Sequence, residues 1–346
     1  MIRHNNHFCT FSEVYLIAEI GVNHNGDMNL AKKMIEAAKE SGADAVKFQT
    51  FSADLLVSQE TQKVEYQKQS GPQDETHYEM IKKLEMSKDD HYDLFNFCYQ
   101  VGIDFISTPY DLESAKFLNK LGVKYFKTAS ADIIDIPLLK YIASTGKPTI
   151  IATGMASLGE IEKAVEVFEN SKNLDFALLH CVSNYPCSNK SLNMRVMNAL
   201  ENSFDCPVGY SDHSIGFLAS VIAVSLGARV IEKHFTLDKT SQGPDHMASS
   251  TPDEFHELSS NIRRAEMILG SSRKKLQNEE FQMSKVSRKT LIASRDIEIG
   301  EVIKISDLSL MRTDGGISAT FMDSIIGLCA TKSILRNQKI GWGSLS

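Results

Sequence analysis

The sequence predicts an α/β chain: a (β/α)8 barrel followed by a small β-rich domain. Three observations carry that expectation. Eight short apolar runs alternate with stretches whose apolar residues recur at three- and four-residue spacing, the pattern of buried strand and amphipathic helix. Polar and charged residues gather where the runs end. From Arg288 onward the texture changes to short strand-like segments broken by tight turns. Strand count alone leaves an open doubly wound sheet available beside the barrel.

Taken in order, the expected strands are Val14 to Ile20, Ala45 to Gln49, Asp104 to Thr108, Tyr125 to Thr128, Thr149 to Thr153, Phe176 to Cys181, Pro207 to Tyr210 and Arg229 to Lys233. Leu30, Met34, Ile35 and Ala38, closed by Gly42, mark the first helix. Ile161, Val165 and Phe168 mark a later one, and Ile215 to Leu226, ending at Gly227, another. The last barrel helix is expected over Pro252 to Leu269, ending at Gly270. Residues Ser52 to Asp74 are polar and too long for a simple turn, which predicts a lid or binding loop after strand two. These elements place a barrel domain over residues 1–275 and a linker at about 271–283, with a β-rich domain over 284–346. Within that domain Leu291 to Ala293, Val302-Ile303 and Leu308 to Met311 read as strands. So small a unit is marginal alone.

With 42% hydrophobic and 23% charged residues, the 346-residue chain has the composition of an ordinary globular protein. A net charge of −7 argues against a nucleic-acid surface but allows a locally basic pocket. No apolar run approaches the ~20 residues of a membrane span. Met1 to Ser12 lack the apolar stretch of a secretory signal, so a cytoplasmic location is expected. The six cysteines lack Cys-x-x-Cys spacing, which predicts reduced, mostly buried thiols.

Barrel enzymes place their chemistry at strand C-termini. Here those ends supply Glu19, Lys47 with Gln49, Thr108, Lys127 with Ser130, Ser183 with Tyr185, Ser211 with His213, and Glu232 with His234. Ser107 and Thr153-Gly154 fall in the same zone. Each has a plainer reading. A single lysine in an apolar strand can be a snorkelling edge residue. Glu19 alone can be an ion-pair partner, and His213 alone a hydrogen-bonded core histidine. Two lysines in equivalent positions, with several hydroxyls, suit a phosphate and a carboxylate. Two histidines on neighbouring strand ends suit one divalent metal. His24 and His246 serve equally well as loop hydrogen-bonders. Met80, Leu84 and Met86 read as helix and loop hydrophobes, and His4, His7, His77 and His91 belong to no constellation.

Seven ordered strings, among them Ile17-Ala18-Glu19-Ile20-Gly21-Val22-Asn23-His24-Asn25-Gly26, Val46-Lys47-Phe48-Gln49, Gly209-Tyr210-Ser211-Asp212-His213, Ile231-Glu232-Lys233-His234 and Gly243-Pro244-Asp245-His246, resemble the sialic acid synthase family. The C-terminal region, with Asp296-Ile297-Glu298-Ile299-Gly300-Glu301 and Arg312-Thr313-Asp314-Gly315-Gly316, resembles that family's antifreeze-like SAF domain. The resemblance implies a TIM-barrel enzyme that condenses phosphoenolpyruvate with an open-chain N-acylated mannosamine and releases phosphate. It implies His213 and His234 as ligands of a divalent metal, typically Mn2+ (Mg2+ or Co2+ are alternatives), and Glu19 as the acid/base. Lys47, Thr108, Lys127, Ser130, Ser183 and Ser211 would hold phosphoenolpyruvate. Gln49, Tyr185, Asp245 and Glu232 would face the sugar, joined by Arg312 from the other subunit of a domain-swapped homodimer.

The chain departs from the family pattern at Ala129-Ser130-Ala131-Asp132, where glycine and glutamate are common, at Ala152, at Ser183 and in the Arg312–Gly316 loop. Tyr66-Gln67, Gln73 to Thr76 and Met80 to Met86 resemble the neuraminate and legionaminate subgroup more than the pseudaminate one. N-acetylneuraminate synthase is the preferred expectation, with N,N'-diacetyllegionaminate synthase, which takes 2,4-diacetamido-2,4,6-trideoxymannose, as the alternative. A barrel acting on a phosphorylated sugar lacks its second basic cluster. A non-enzymatic sugar-binding module leaves Glu19, His213 and His234 unexplained.

Overall fold

Side chains pointing alternately to opposite faces of parallel strands organise the N-terminal unit, Met1–Gly270. The structure is a computed structural model that describes residues 6–62 and 75–346. Its strands are β1 (Tyr15–Gly21), β2 (Ala45–Thr50), β3 (Asp104–Pro109), β4 (Phe126–Thr128), β5 (Thr149–Ala152), β6 (Phe176–Cys181), β7 (Val208–Asp212) and β8 (Val230–His234). All fall within two residues of the expected bounds. The parallel ladder runs β3-β2-β1-β8-β7-β6-β5-β4, and β3 and β4 meet at the seam, so the sheet is a barrel rather than an open sheet.

Alternation sorts the strand residues into two cores. Ile17, Ala45, Ile106, Tyr125, Ile150, Leu179 and Val230 form a cluster inside the barrel. Leu16, Ile20, Val46, Phe48, Phe126, Leu178, Val208 and Ile231 form another with the surrounding helices. Two residues beyond Ile17, Ala45, Ile106, Tyr125 and Val230, the same inward face carries Glu19, Lys47, Thr108, Lys127 and Glu232. The apolar half of the interior is thus a floor for a polar half.

Ordinary end chemistry fixes where the surrounding helices begin. Thr251 and Glu254 form a capping box on the helix Pro252–Leu269, with Pro252 in the first turn. Ser157 with Glu160 does the same for Leu158–Asn170. The helix expected from Ile215 begins only at Leu218 and runs to Ser225. Gly216 has φ +78, which a right-handed helix cannot continue, and Ile215 is exposed. After β2 a short helix, Ala53–Leu56, replaces part of the expected loop. Tyr66-Gln67 and Gln73-Asp74 lie outside the described residues.

The N-terminal segment has a function that its polar composition conceals. Phe8, on the turn His7–Cys9, is fully buried in the inner cluster. Asn6 donates from Nδ2 to the carbonyls of Leu174 and Phe176 at 3.0 and 2.8 Å, fixing the turn beside the start of β6. Phe8 therefore plugs the end of the barrel opposite the polar residues.

The second unit, Ser271–Ser346, has its own core of Leu291, Ile297, Ile303, Ile317, Ile334 and Ile340. Strand β9 (Lys289–Ala293) pairs antiparallel with β10 (Leu308–Arg312), while Val302 makes only an isolated bridge to Cys329. Four of the six cysteines are buried. Among the described residues no helix is long and apolar enough to cross a membrane.

Because Phe8 fills the lower interior, Phe8→Ala is expected to cost about 3–5 kcal/mol of stability. Denaturant unfolding measures this. A loss under about 1 kcal/mol, the scale of a surface substitution, would show that the segment is not a plug.

Candidate active site

At the C-terminal ends of the strands a cavity of about 570 Å³ opens above the apolar floor. Its base is a cluster of four buried ions. Lys47 Nζ lies 2.6 Å from Glu19 Oε2 and 3.8 Å from Glu232 Oε1. Lys127 Nζ lies 3.3 Å from the same Glu232 oxygen. None of the four side chains is more than 6% exposed, so each ion depends on its neighbours for what water no longer supplies.

Their environments push the two carboxyls apart. Burial raises Glu19 to about 7, with the neighbouring Glu232 charge adding to it and Lys47 pulling the other way. Burial also acts upward on Glu232, but Lys127 and Lys47 together outweigh it and hold that carboxyl down to about 2. One carboxyl is thus poised to exchange a proton near neutrality, and the other stays ionised as a counter-charge. Gln49 Nε2 donates to Glu19 Oε1 at 3.3 Å, and Lys47 Nζ donates to Thr108 Oγ1 at 3.1 Å.

The strand-end hydroxyls converge beside the lysines. Ser211 Oγ donates to Glu232 Oε1 at 3.0 Å. Ser130, on the turn after β4, accepts from the Gly154 amide at 3.1 Å. A side chain at Gly154 would collide with Ser183 Oγ, Ser130 Oγ and Cys181 Sγ. Only glycine lets three strand ends close so tightly, leaving hydroxyls and an ammonium group around a space suited to an oxyanion.

His213 and His234 face each other with ring centroids 5.5 Å apart. His213 Nδ1 lies 2.8 Å from the Val182 carbonyl, which can only accept. The ring proton is therefore on Nδ1 and the Nε2 lone pair is available. His234 Nδ1 is buried without a hydrogen-bond partner among the described residues, 3.7 Å from Asp245 Oδ2. Burial lowers both imidazoles, His213 to about 4, so both are neutral at pH 7. Neutral imidazoles, one with its second nitrogen bonded to a backbone carbonyl, fit a divalent cation that keeps open positions. Among the described residues no set of three or more histidine, cysteine or carboxylate groups forms a closed metal site.

Asp245 reaches the cavity on the loop after β8. Asn23 Nδ2 holds that loop through the Phe235 carbonyl and Ser249 Oγ, both at 2.9 Å. Asn25 Nδ2 donates to the Gln242 carbonyl at 2.9 Å, and His246 pairs with Thr236 Oγ1 at 2.7 Å. His246 is thus a loop-fixing group. Burial raises the Asp245 carboxyl to about 6, although Lys47 acts against it.

Of the residues singled out from sequence, Glu19, Lys47, Gln49, Thr108, Lys127, Ser130, Ser183, Tyr185, Ser211, His213, Glu232, His234 and Asp245 all line this cavity. Arg312 ends β10 in the second unit, exposed. Ser107 and Thr153 do not join the site. Ser107 points outward to Thr50 Oγ1 at 2.6 Å, and Thr153 donates to the Leu179 carbonyl at 2.9 Å. His24 is buried away from the cavity and accepts from the Gly26 amide at 3.1 Å. Sequence reasoning missed Phe51 and Tyr110, each one residue past a strand end, and read His77, Met80 and Leu84 as unrelated to the site; all five line it.

Ionising Glu19 is harder in the folded chain than in the unfolded one. The fold therefore loses stability as pH rises from the ordinary glutamate value of 4.5 to about 7. Glu19→Gln is expected to melt several degrees above the parent at pH 8 and level with it at pH 4. Thermal denaturation at the two pH values checks this, and a difference independent of pH would contradict the raised carboxyl.

Comparison with known proteins agrees with this architecture. The model of the NeuB family matches residues 34–274 and that of the SAF domain residues 288–346. The chain is 45% identical to the N,N'-diacetyllegionaminic acid synthase of Legionella pneumophila, over 95% of this chain and 93% of that one. It is 44% identical to the Campylobacter jejuni enzyme of the same name, over 94% and 98%. The crystal structure of the N-acetylneuraminic acid (sialic acid) synthetase from Leptospira borgpetersenii, in complex with citrate, superposes with a TM-score of 0.71 at 36% identity, covering 79% of this chain and 90% of that one. Family models that together span most of the chain, a barrel with its polar residues gathered at one end, and relatives of this similarity lead to one conclusion: the chain is an enzyme of the NeuB family, a sialic-acid-type synthase with a C-terminal SAF domain.

Proposed function

We propose that this enzyme condenses phosphoenolpyruvate with open-chain 2,4-diacetamido-2,4,6-trideoxymannose to give N,N'-diacetyllegionaminate and phosphate. The observation that carries the reaction is the buried Lys47–Glu19–Glu232–Lys127 cluster beside two neutral histidines. The choice of sugar rests on the relatives. Two named N,N'-diacetyllegionaminic acid synthases are 45% and 44% identical to this chain, against 36% for the N-acetylneuraminic acid synthetase. The sugar preferred from sequence alone, N-acetylmannosamine, thereby becomes the second reading.

In this reading Lys127, Lys47, Ser130, Ser183, Ser211 and Thr108 hold the phosphate and carboxylate of phosphoenolpyruvate. With Glu19 protonated, the four-ion cluster carries a net positive charge that offsets an arriving anion. His213 and His234 would hold a divalent ion such as Mn2+, which when bound supplies Lewis-acid polarisation of the aldehyde. C3 of the enol attacks the aldehyde carbon, and Glu19 donates its proton to the alkoxide oxygen that forms. The resulting carboxylate then takes a proton from the water that adds at C2, and the hemiketal phosphate collapses with loss of inorganic phosphate. Gln49 keeps the Glu19 carboxyl in place throughout. Gln49, Tyr185, Asp245 and Glu232 face the sugar's remaining polar groups. A domain-swapped homodimer would bring the partner subunit's Arg312 to the same sugar.

Purified protein with Mn2+ is expected to release phosphate from phosphoenolpyruvate when the diacetamido sugar is added, and to stop when a chelator is present. Turnover with N-acetylmannosamine alone would move the assignment to N-acetylneuraminate synthase. Glu19→Gln is expected to lower kcat by roughly 10²–10⁴-fold, the usual range for a lost general acid/base. In the parent enzyme kcat/KM should fall as pH rises through about 7, where Glu19 loses its proton. Arg312→Ala should raise the sugar KM and leave that of phosphoenolpyruvate unchanged. A monomeric elution profile at assay concentration would remove the trans contact.

A further inference from the structure

The cavity has a second chemical face that the reaction just described leaves idle. Val22, Phe51, Leu56, Met80, Ile81 and Leu84 line it on one side. They belong to a hydrophobic cluster separate from both barrel cores, with Phe51, Ile81 and Leu84 buried and Leu56 and Met80 partly so. Val22 and Phe51 follow the ends of β1 and β2, and Met80 and Ile81 sit on the helix His77–Lys82. A surface loop over a wholly polar site would not need such a cluster facing inward.

Strand order sets where this wall lies relative to the reacting groups. The histidines end β7 and β8, and the hydroxyl and ammonium cradle gathers over β4 to β6. Phe51 follows β2 and Tyr110 follows β3, three and four strands from β7 in an eight-stranded ring, so neither neighbours the strands that present the histidines. With the aldehyde at the histidines and the enol phosphate over β4 to β6, the far end of a six-carbon open-chain sugar is left with the wall over β2 and β3.

We infer that this apolar wall is the specificity subsite for the sugar's distal carbons, selecting a C6 methyl and a C4 acetamido methyl over hydroxyl groups. The inference rests on the synthase reading above and names the residues that would choose between its two sugars. A hydroxyl pressed against Leu56, Met80 and Ile81 gives up its water and finds no partner on those side chains, whereas a methyl group gains from leaving water. Hydrophobic pockets reject an added hydroxyl by no more than about a hundredfold, so a discrimination on the order of ten- to a hundredfold is the expected scale.

The test measures kcat/KM by phosphate release for the diacetamido sugar and for N-acetylmannosamine, using the full chain with Mn2+. Leu56→Gln and Met80→Gln, both at partly buried positions, add hydrogen-bonding groups without emptying the wall, and Met80→Leu keeps it apolar. The parent should prefer the diacetamido sugar. Each glutamine variant should shrink that preference severalfold, chiefly through the KM of that sugar and with the KM of phosphoenolpyruvate unchanged. Met80→Leu should retain the parental preference. An unchanged preference in both glutamine variants, with the parent still favouring the diacetamido sugar, overturns the subsite and leaves the synthase reading intact. A parent inactive on both sugars overturns the synthase reading itself, and the subsite with it.

Discussion

Four ions buried together at the top of the barrel set the terms for everything around them. An isolated ammonium or carboxylate at this depth would cost several kcal/mol in lost hydration. Lys47 and Lys127 are tolerated because Glu19 and Glu232 are within ion-pair reach, and Glu232 is shared by both lysines. The cluster in turn needs a scaffold that does not yield. Parallel strands with a filled interior supply it, since Ile17, Ala45, Tyr125 and Val230 stand two residues below Glu19, Lys47, Lys127 and Glu232 on the same inward face. Below that layer Phe8 closes the barrel.

A division of labour follows. Glu19, Lys47, Lys127 and Glu232 sit on strands, where backbone ladders fix them. Asp245 sits on the connection after β8, where hydrogen bonds fix the chain instead. Asp245 is held by Asn23, Asn25 and His246, none of which carries a charge into the cavity. The equally buried Asp212–Lys233 pair, 3.0 Å apart on the outer face, secures the turn that presents His213 by accepting from Ser214 and Ser220.

Much of this was legible in the sequence, for physical reasons that also explain what was not. Strands buried on both faces write themselves as continuous apolar runs, so β1 to β8 could be placed and the charged residues at their ends stood out. Facing was harder, because a shift of one residue reverses it. Thr108 enters the cavity while Ser107 turns to Thr50, and nothing in their chemistry separates them. Apolar residues at a site look like those of any core, which hid Met80 and Leu84. The plug was hidden for the opposite reason, since Phe8 stands in a polar stretch and only the Asn6 hydrogen bonds to Leu174 and Phe176 reveal its placement. The choice of sugar was not legible in the strand-end motifs, which led to N-acetylmannosamine where the relatives favour the diacetamido sugar.

The apolar wall that Phe51, Leu56, Met80, Ile81 and Leu84 build after β2 gives the fold a particular kind of evolvability. Its cluster is separate from both barrel cores and shares no residue with the four-ion network. Under the subsite proposed above, a change of sugar would call for new side chains on that wall and none among the groups that form the bond.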